Sequence, residues 1–155
     1  MHAFVNDLER AVGTHLLGRR LYQTMVYWEN PPDLAEQPPH VREFAALWQA
    51  ADKIVYSRTL QAVTGAGARL QREFDPEAIR QLKAGTDGDL SVGGAELATR
   101  AAEAGLIDEY HLFLVPVIVG GGKRALPEGV SVELELLDER RFRNGTVYLA
   151  YRAQA

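Results

Sequence analysis

The chain has 155 residues, a net charge of −4, 46% hydrophobic and 25% charged residues, and no cysteine. This length supports one domain with a buried core, and the acidic balance offers no electrostatic case for nucleic acid or an anionic membrane. Without cysteine there can be no disulfide framework, no thiolate nucleophile and no cysteine-ligated zinc or iron–sulfur centre. The longest apolar run, Leu112–Val119, holds a proline and is far short of the roughly 20 residues of a membrane-spanning helix. The opening residues Met1–Asp7 have neither the basic head nor the apolar stretch of a signal peptide. The expectation is a cytoplasmic protein in which residues 1–155 form a single domain.

Taken in chain order, Phe4, Leu8, Ala11 and Val12 fall at helical spacing, which predicts a helix over 2–12 closed by Gly13. Thr14–Gly18 reads as a short buried strand running directly into a helix from Arg19 to Met25. The proline-rich stretch Asn30–Pro39 must be a loop. An amphipathic helix is predicted over His40–Ala50, then a β-branched strand at Lys53–Tyr56 and a Gly-rich turn. Asp75-Pro76 is a helix start, with Asp as N-cap and Pro as first residue, and that helix ends near Gly85. Asp89–Val92 is a strand meeting Gly93-Gly94, and Ala95–Ala104 a helix closed by Gly105. Beyond it, Tyr110–Val119 reads as one long strand, Gly120–Gly122 as a loop and Val132–Leu136 as a half-exposed strand. Asn144-Gly145 signals a hairpin into Thr146–Tyr151. Alternating strands and helices followed by antiparallel strands predict an α/β fold, its mixed sheet parallel at the centre and antiparallel at the C-terminal edge.

Ligands of open α/β sheets bind outside the carboxyl ends of the strands, and three such ends carry chemistry suited to a phosphate-bearing ligand. At the first, Gly18-Arg19-Arg20 joins a glycine that lets backbone approach closely to two charge-assisted donors at a helix start. At the second, Ser57-Arg58-Thr59 sets two hydroxyls around a guanidinium, which suits a phosphate monoester such as the 2′-phosphate of NADPH. At the third, Gly93-Gly94-Ala95-Glu96 places paired glycines and a helix dipole where a pyrophosphate could lie. Each alone is equally readable as a tight turn with solvated side chains; the third is neither the G-x-G-x-x-G fingerprint nor a P-loop.

In this order and spacing the three ends resemble the dihydrofolate-reductase-like superfamily, and within it the C-terminal reductase branch of the riboflavin-biosynthesis deaminase–reductases. The match runs through Leu16–Arg20, Val55–Leu60 and Leu90–Leu97, then Leu106–Tyr110 and Val115–Gly122, and so covers nearly the whole chain. The resemblance implies a three-layer fold that binds NADPH. Gly18, Arg19 and Arg20 would grip cofactor phosphate, Ser57, Arg58 and Thr59 the adenosine 2′-phosphate, and Gly93, Gly94, Ala95 and Glu96 the pyrophosphate. It also implies a homodimer, and reduction of a pterin- or pyrimidine-like heterocycle, with the phosphoribosylamino-uracil of riboflavin synthesis and dihydrofolate as nearest precedents.

Two departures qualify the match. Leu21 stands where the family has threonine, and the chain starts at the first helix, without the central strand that family members place before it. An unpaired central edge is costly to expose, so another element or a second subunit is expected to cover it. No catalytic acid can be assigned: Asp7 and Glu9 read as solvated helix charges. Tyr22, Tyr27 and Trp28 either line a pocket for a flat heterocycle or pack in the core. His15 and His111 read as satisfied strand histidines rather than ligands, and no metal site is expected. The alternative to a reductase is a non-catalytic NADP-binding or dimeric interaction protein that keeps the cofactor cradle without turnover.

Overall fold

The structure is a computed structural model that describes residues 1–154. Its centre is strand β1 (Val12–Gly18), in which Thr14, His15, Leu16 and Leu17 are all buried. A strand so buried on both faces needs neighbours on either side and helices above and below. It pairs in parallel with β2 (Asp52–Tyr56) and with β4 (Asp89–Gly93), while β3 (Ala68–Gln71) adds outside β2. The period-2 alternation of strand side chains sorts the core into two layers. Leu16 and Ile54 face Ile79 of α4 (Pro76–Gly85) and Leu97 and Ala101 of α5 (Ala95–Glu103). Leu17 and Val55 face Tyr22 of α2 (Arg19–Met25) and Trp48 of α3 (Pro39–Ala50).

Local signals set most element bounds. Asp75 caps α4, its Oδ1 accepting the Glu77 N–H at 2.9 Å, with Pro76 behind it as the first helical residue. The Asn144-Gly145 turn holds φ +85° at Gly145, and Asn144 Oδ1 accepts the Thr146 N–H at 3.1 Å. Helix α1 (His2–Glu9) is tied to α3 by Asn6, 1% exposed, whose amide donates to the His40 carbonyl and to Glu43 Oε2, both at 2.9 Å. Fully buried Lys53 donates to Glu29 Oε1 at 3.0 Å and lies over the Trp48 ring, and Glu29 also accepts the Trp48 indole N–H at 2.9 Å. This buried pair anchors the 3₁₀ turn Val26–Glu29 that leads into the proline-rich loop.

Several expectations are corrected. The first helix stops at Glu9 rather than Val12, and Gly13 lies inside β1. Val12 already pairs with Asp89, and the Asp89 N–H bonds to the Ala11 carbonyl, so ladder bonds displace the last helical turn. Strand β3 falls where only a turn was predicted. The long strand Tyr110–Val119 is β5 (Glu109–Leu114) alone, since Pro116 cannot donate to a ladder and the chain leaves the sheet there. The strand expected at Val132–Leu136 is β6 (Leu134–Arg141), displaced toward the C-terminus and carrying the charged run Asp138–Arg141 within it. Its partner β7 (Val147–Ala153) pairs antiparallel with both β5 and β6.

The parallel and antiparallel parts are both present, as expected, but they form two sheets, ordered β3-β2-β1-β4 and β5-β7-β6. Among the described residues no strand bridges β4 and β5.

Candidate cofactor site

The order β2-β1-β4 brings the three predicted strand ends side by side. Gly18 is in register with Tyr56, the last residue of β2, and Leu17 with Gly93. The two glycine turns touch: a Cβ built on Gly94 would lie 3.6 Å from the backbone N and Cα of Gly18, and Gly94 holds φ +101°. A side chain at Gly94 would be strained by that φ.

Behind this contact the N-terminus of α5 carries no side-chain cap, so the N–H groups of its first turn, from Ala95 onward, have no side-chain partner among the described residues. The neighbouring charges are basic. Arg19 donates to Thr59 Oγ1 at 2.7 Å, lacing the end of β1 to the loop after β2. Among the described residues no acidic side chain pairs with Arg19 or Arg20. Arg58 is exposed and donates to Glu73 Oε2 at 2.8 Å. An ion pair so open to water contributes about 0–1 kcal/mol, little hindrance to an arriving phosphate.

Ser57 serves its own loop: it is buried, and its Oγ accepts the N–H groups of Thr59 at 3.2 Å and Leu60 at 3.1 Å. Arg72, which no sequence pattern singled out, donates to the Ser57 carbonyl at 3.0 Å and to that of Leu60, clamping the same loop. Glu96 is exposed and accepts from Lys123 at 2.6 Å, which holds its carboxyl below the usual range. Lys123 follows the Gly120–Gly122 loop and pins it over the start of α5.

Leu21 has a definite place. A Cβ on Gly93 would fall 2.2 Å from Leu21 Cδ2, so the leucine covers Gly93 with hydrocarbon where the family resemblance leads one to expect a hydroxyl. Gly93 thus lies against the terminal methyl of Leu21, whereas Gly94 is favoured by its backbone conformation.

Of the three aromatics, Trp28 meets Tyr27 edge-on and packs on the core cluster that holds Tyr22. Tyr22 is a core residue whose hydroxyl accepts the Thr64 N–H at 2.8 Å, and Trp28 packs edge-on against Phe44. Tyr27 is half exposed. His15 is a satisfied strand histidine, its Nδ1 2.6 Å from Ser91 Oγ and its ring stacked on Trp48. Glu9 is not the solvated charge expected of it. It lies 3.7 Å from His15 Nε2, and burial raises its pKa.

The donor set, an uncapped helix start with Arg19 and Arg20 at the end of β1 and Arg58 after β2, fits a ligand carrying more than one phosphate group. The family model described as the RibD C-terminal domain matches residues 1–148. The uncharacterized protein YyaP of Bacillus subtilis is 27% identical over 147 residues, 94% of this chain and 76% of that protein. A candidate riboflavin biosynthesis protein from Shewanella sp. PV-4 superposes with TM-score 0.71 at 17% identity, over 96% of this chain and 78% of its own. RibD of Acinetobacter baumannii superposes with TM-score 0.64 at 14% identity, and 99% of this chain covers 51% of it, so the likeness spans about half of that protein. The chain belongs to the RibD C-terminal domain family.

Proposed function

We propose that this protein is an NADPH-dependent reductase of a pterin- or pyrimidine-like small molecule, of the type that acts in riboflavin synthesis. The observation that carries the proposal is the alignment of three strand ends, with α5 uncapped and, among the described residues, no ion pair at Arg19 or Arg20. The first-turn N–H groups of α5, from Ala95 and Glu96 onward, behind Gly93 and Gly94, suit the pyrophosphate. Gly18 permits close backbone approach, and Arg19 and Arg20 supply charge-assisted donors. Arg58, with Ser57 and Thr59, suits the 2′-phosphate that separates NADPH from NADH, because a guanidinium binds a dianion through paired N–H donors. When bound, the cofactor supplies the hydride; the residues named here hold and orient it. Incubation with NADPH and either a ribosylamino-pyrimidine or dihydrofolate tests the activity. Substrate-dependent loss of the reduced-cofactor absorbance is expected; a cofactor that binds and is never consumed refutes turnover of these substrates.

Leu21 over Gly93 favours a second reading, in which the cradle is kept and turnover is lost. Leu21→Thr separates the two: it should tighten NADPH binding in a working reductase and restore no turnover in a binding protein.

We also propose that the protein self-associates. Leu134, Leu136 and Leu137 on β6, Leu114 at the end of β5, and Val115 and Val117–Val119 beyond it are exposed, Ile118 to 98%. An apolar surface this continuous is normally covered. Light scattering should report twice the mass of the chain, and Leu136→Lys should return it to the monomer.

A further inference from the structure

We propose that Glu73 sets the cofactor preference of the site as a resident counter-anion. Its carboxylate occupies the Arg58 guanidinium that would take the 2′-phosphate, and so holds the preference for NADPH over NADH below what Arg58 alone would give. The inference rests on the cofactor reading above and adds to it a residue that lies outside the three strand ends.

The placement follows from the β2–β3 ladder. Tyr56 is in register with Gln71, and the Ser57 N–H still donates to the Gln71 carbonyl at 3.0 Å, so the two chains leave the sheet side by side. Arg58 then meets Glu73, its Nη2 donating to Glu73 Oε2 at 2.8 Å. The chain is anchored on either side of Glu73. Arg72 donates to the Ser57 and Leu60 carbonyls, and Phe74 packs edge-on against Tyr56 with ring centroids 5.6 Å apart. The side chain of Glu73 can turn away from Arg58, but its backbone stays beside the loop.

A carboxylate and a phosphate monoester ask the same of a guanidinium, paired N–H donors facing two oxygens. A cofactor with a 2′-phosphate must displace Glu73 before Arg58 can serve it, and once seated it sets a dianion beside an acid. NADH bears neither cost, because it brings no charge to that corner. Arg19, which also reaches this loop, donates to the Thr59 hydroxyl, a neutral group that does not compete for phosphate. The acid therefore bears on Arg58, the residue that separates the two cofactors. Both side chains of the pair are 68% exposed, which keeps the effect modest. Breaking so open a pair lowers affinity by at most about fivefold. Repulsion, screened over about 8 Å at physiological salt, adds roughly twofold.

The test titrates NADPH and NADH by cofactor fluorescence into the parent, Glu73→Gln, Arg58→Ala and the double variant, at about 0.15 M salt. Glu73→Gln keeps the size of the side chain and removes its charge. In the parent background it is expected to tighten NADPH about fivefold to tenfold and to change NADH by less than about twofold. In the Arg58→Ala background it should tighten NADPH by no more than about twofold, since no guanidinium is left to contest and only the screened field of the acid remains. The proposal is overturned if Glu73→Gln leaves NADPH binding as it was, helps NADH equally, or helps as much in Arg58→Ala as in the parent. Each of those results makes Glu73 an ordinary surface charge or a support of the loop. A parent that binds neither cofactor overturns the cofactor reading and this inference with it. A parent that prefers NADPH while Glu73→Gln is inert overturns this inference alone.

Discussion

His15 gives the sharpest link between this fold and solution behaviour. The side chain is buried between Trp48, Ser91 and Glu9, and burial, assisted by the nearby Lys53 charge, lowers its pKa from 6.5 to about 4. A histidine depressed in this way is neutral in the folded chain and protonated first in the unfolded one. Its contribution is therefore complete above pH 6.5 and lost as pH falls from there to about 4. A shift of that size corresponds to about 3 kcal/mol at the acid end of the window. In urea, where m is about 1–3 kcal/mol/M, the midpoint should fall by roughly 1–3 M between pH 7 and pH 4 through this residue alone. Burial of Glu9 works in the opposite sense, since its pKa is raised and its contribution is lost as pH rises. The comparison that isolates His15 is with His15→Phe, which keeps the stack on Trp48 and leaves Glu9 in place. The variant should be less stable at pH 7 by about 1 kcal/mol, for the lost Ser91 bond, and more stable than the parent at pH 4. Parallel urea midpoints for the two proteins across that range would refute the reasoning.

Three further outcomes are expected. Gly93→Ala sets its Cβ against the terminal methyl of Leu21, a side chain that can turn aside, so it should cost no more than about 1 kcal/mol, and that penalty should vanish in a Leu21→Ala background, as read by a double-mutant cycle on thermal unfolding. Lys53→Met leaves the Glu29 carboxylate without its cation and should cost about 3–5 kcal/mol; pairing it with Glu29→Gln, which can still accept the Trp48 indole N–H, should recover part of the loss in the same assay. Asn6→Leu removes both bonds to α3 and should cost about 1–3 kcal/mol, with faster hydrogen exchange in α1.

Much of this architecture was legible in the sequence because its signals are local. Asp75-Pro76 announces α4, Asn144-Gly145 the last hairpin, and the apolar runs at β1, β2 and β4 each end at a residue that changes the chemistry. The strand ends could be singled out because a strand that stops at Gly-Arg or Gly-Gly before a helix concentrates donors there, and pairing order then set the three side by side. What escaped depends on contacts far apart in sequence. Asn6, Lys53 and Arg72 are polar residues whose burial or clamping comes from partners 12 to 37 positions away. The bounds of β5 were misread for another reason. Hydrophobicity usually reports burial, but Val115–Val119 is apolar and exposed, so the run extends past the strand it seemed to define. Glu9 was misjudged because its helix faces the gap between the sheets, which no pattern within α1 reveals.

The central claim is that the three strand ends hold NADPH, and the most direct measurement is a fluorescence titration with NADPH and NADH on the parent and on Arg58→Ala. The account predicts micromolar or tighter binding of NADPH and much weaker binding of NADH. It also predicts that the variant, which keeps the pyrophosphate groups but loses the guanidinium paired to Glu73, no longer tells the cofactors apart. Failure of the parent to bind either cofactor, or a preference for NADPH that survives in Arg58→Ala, would contradict it.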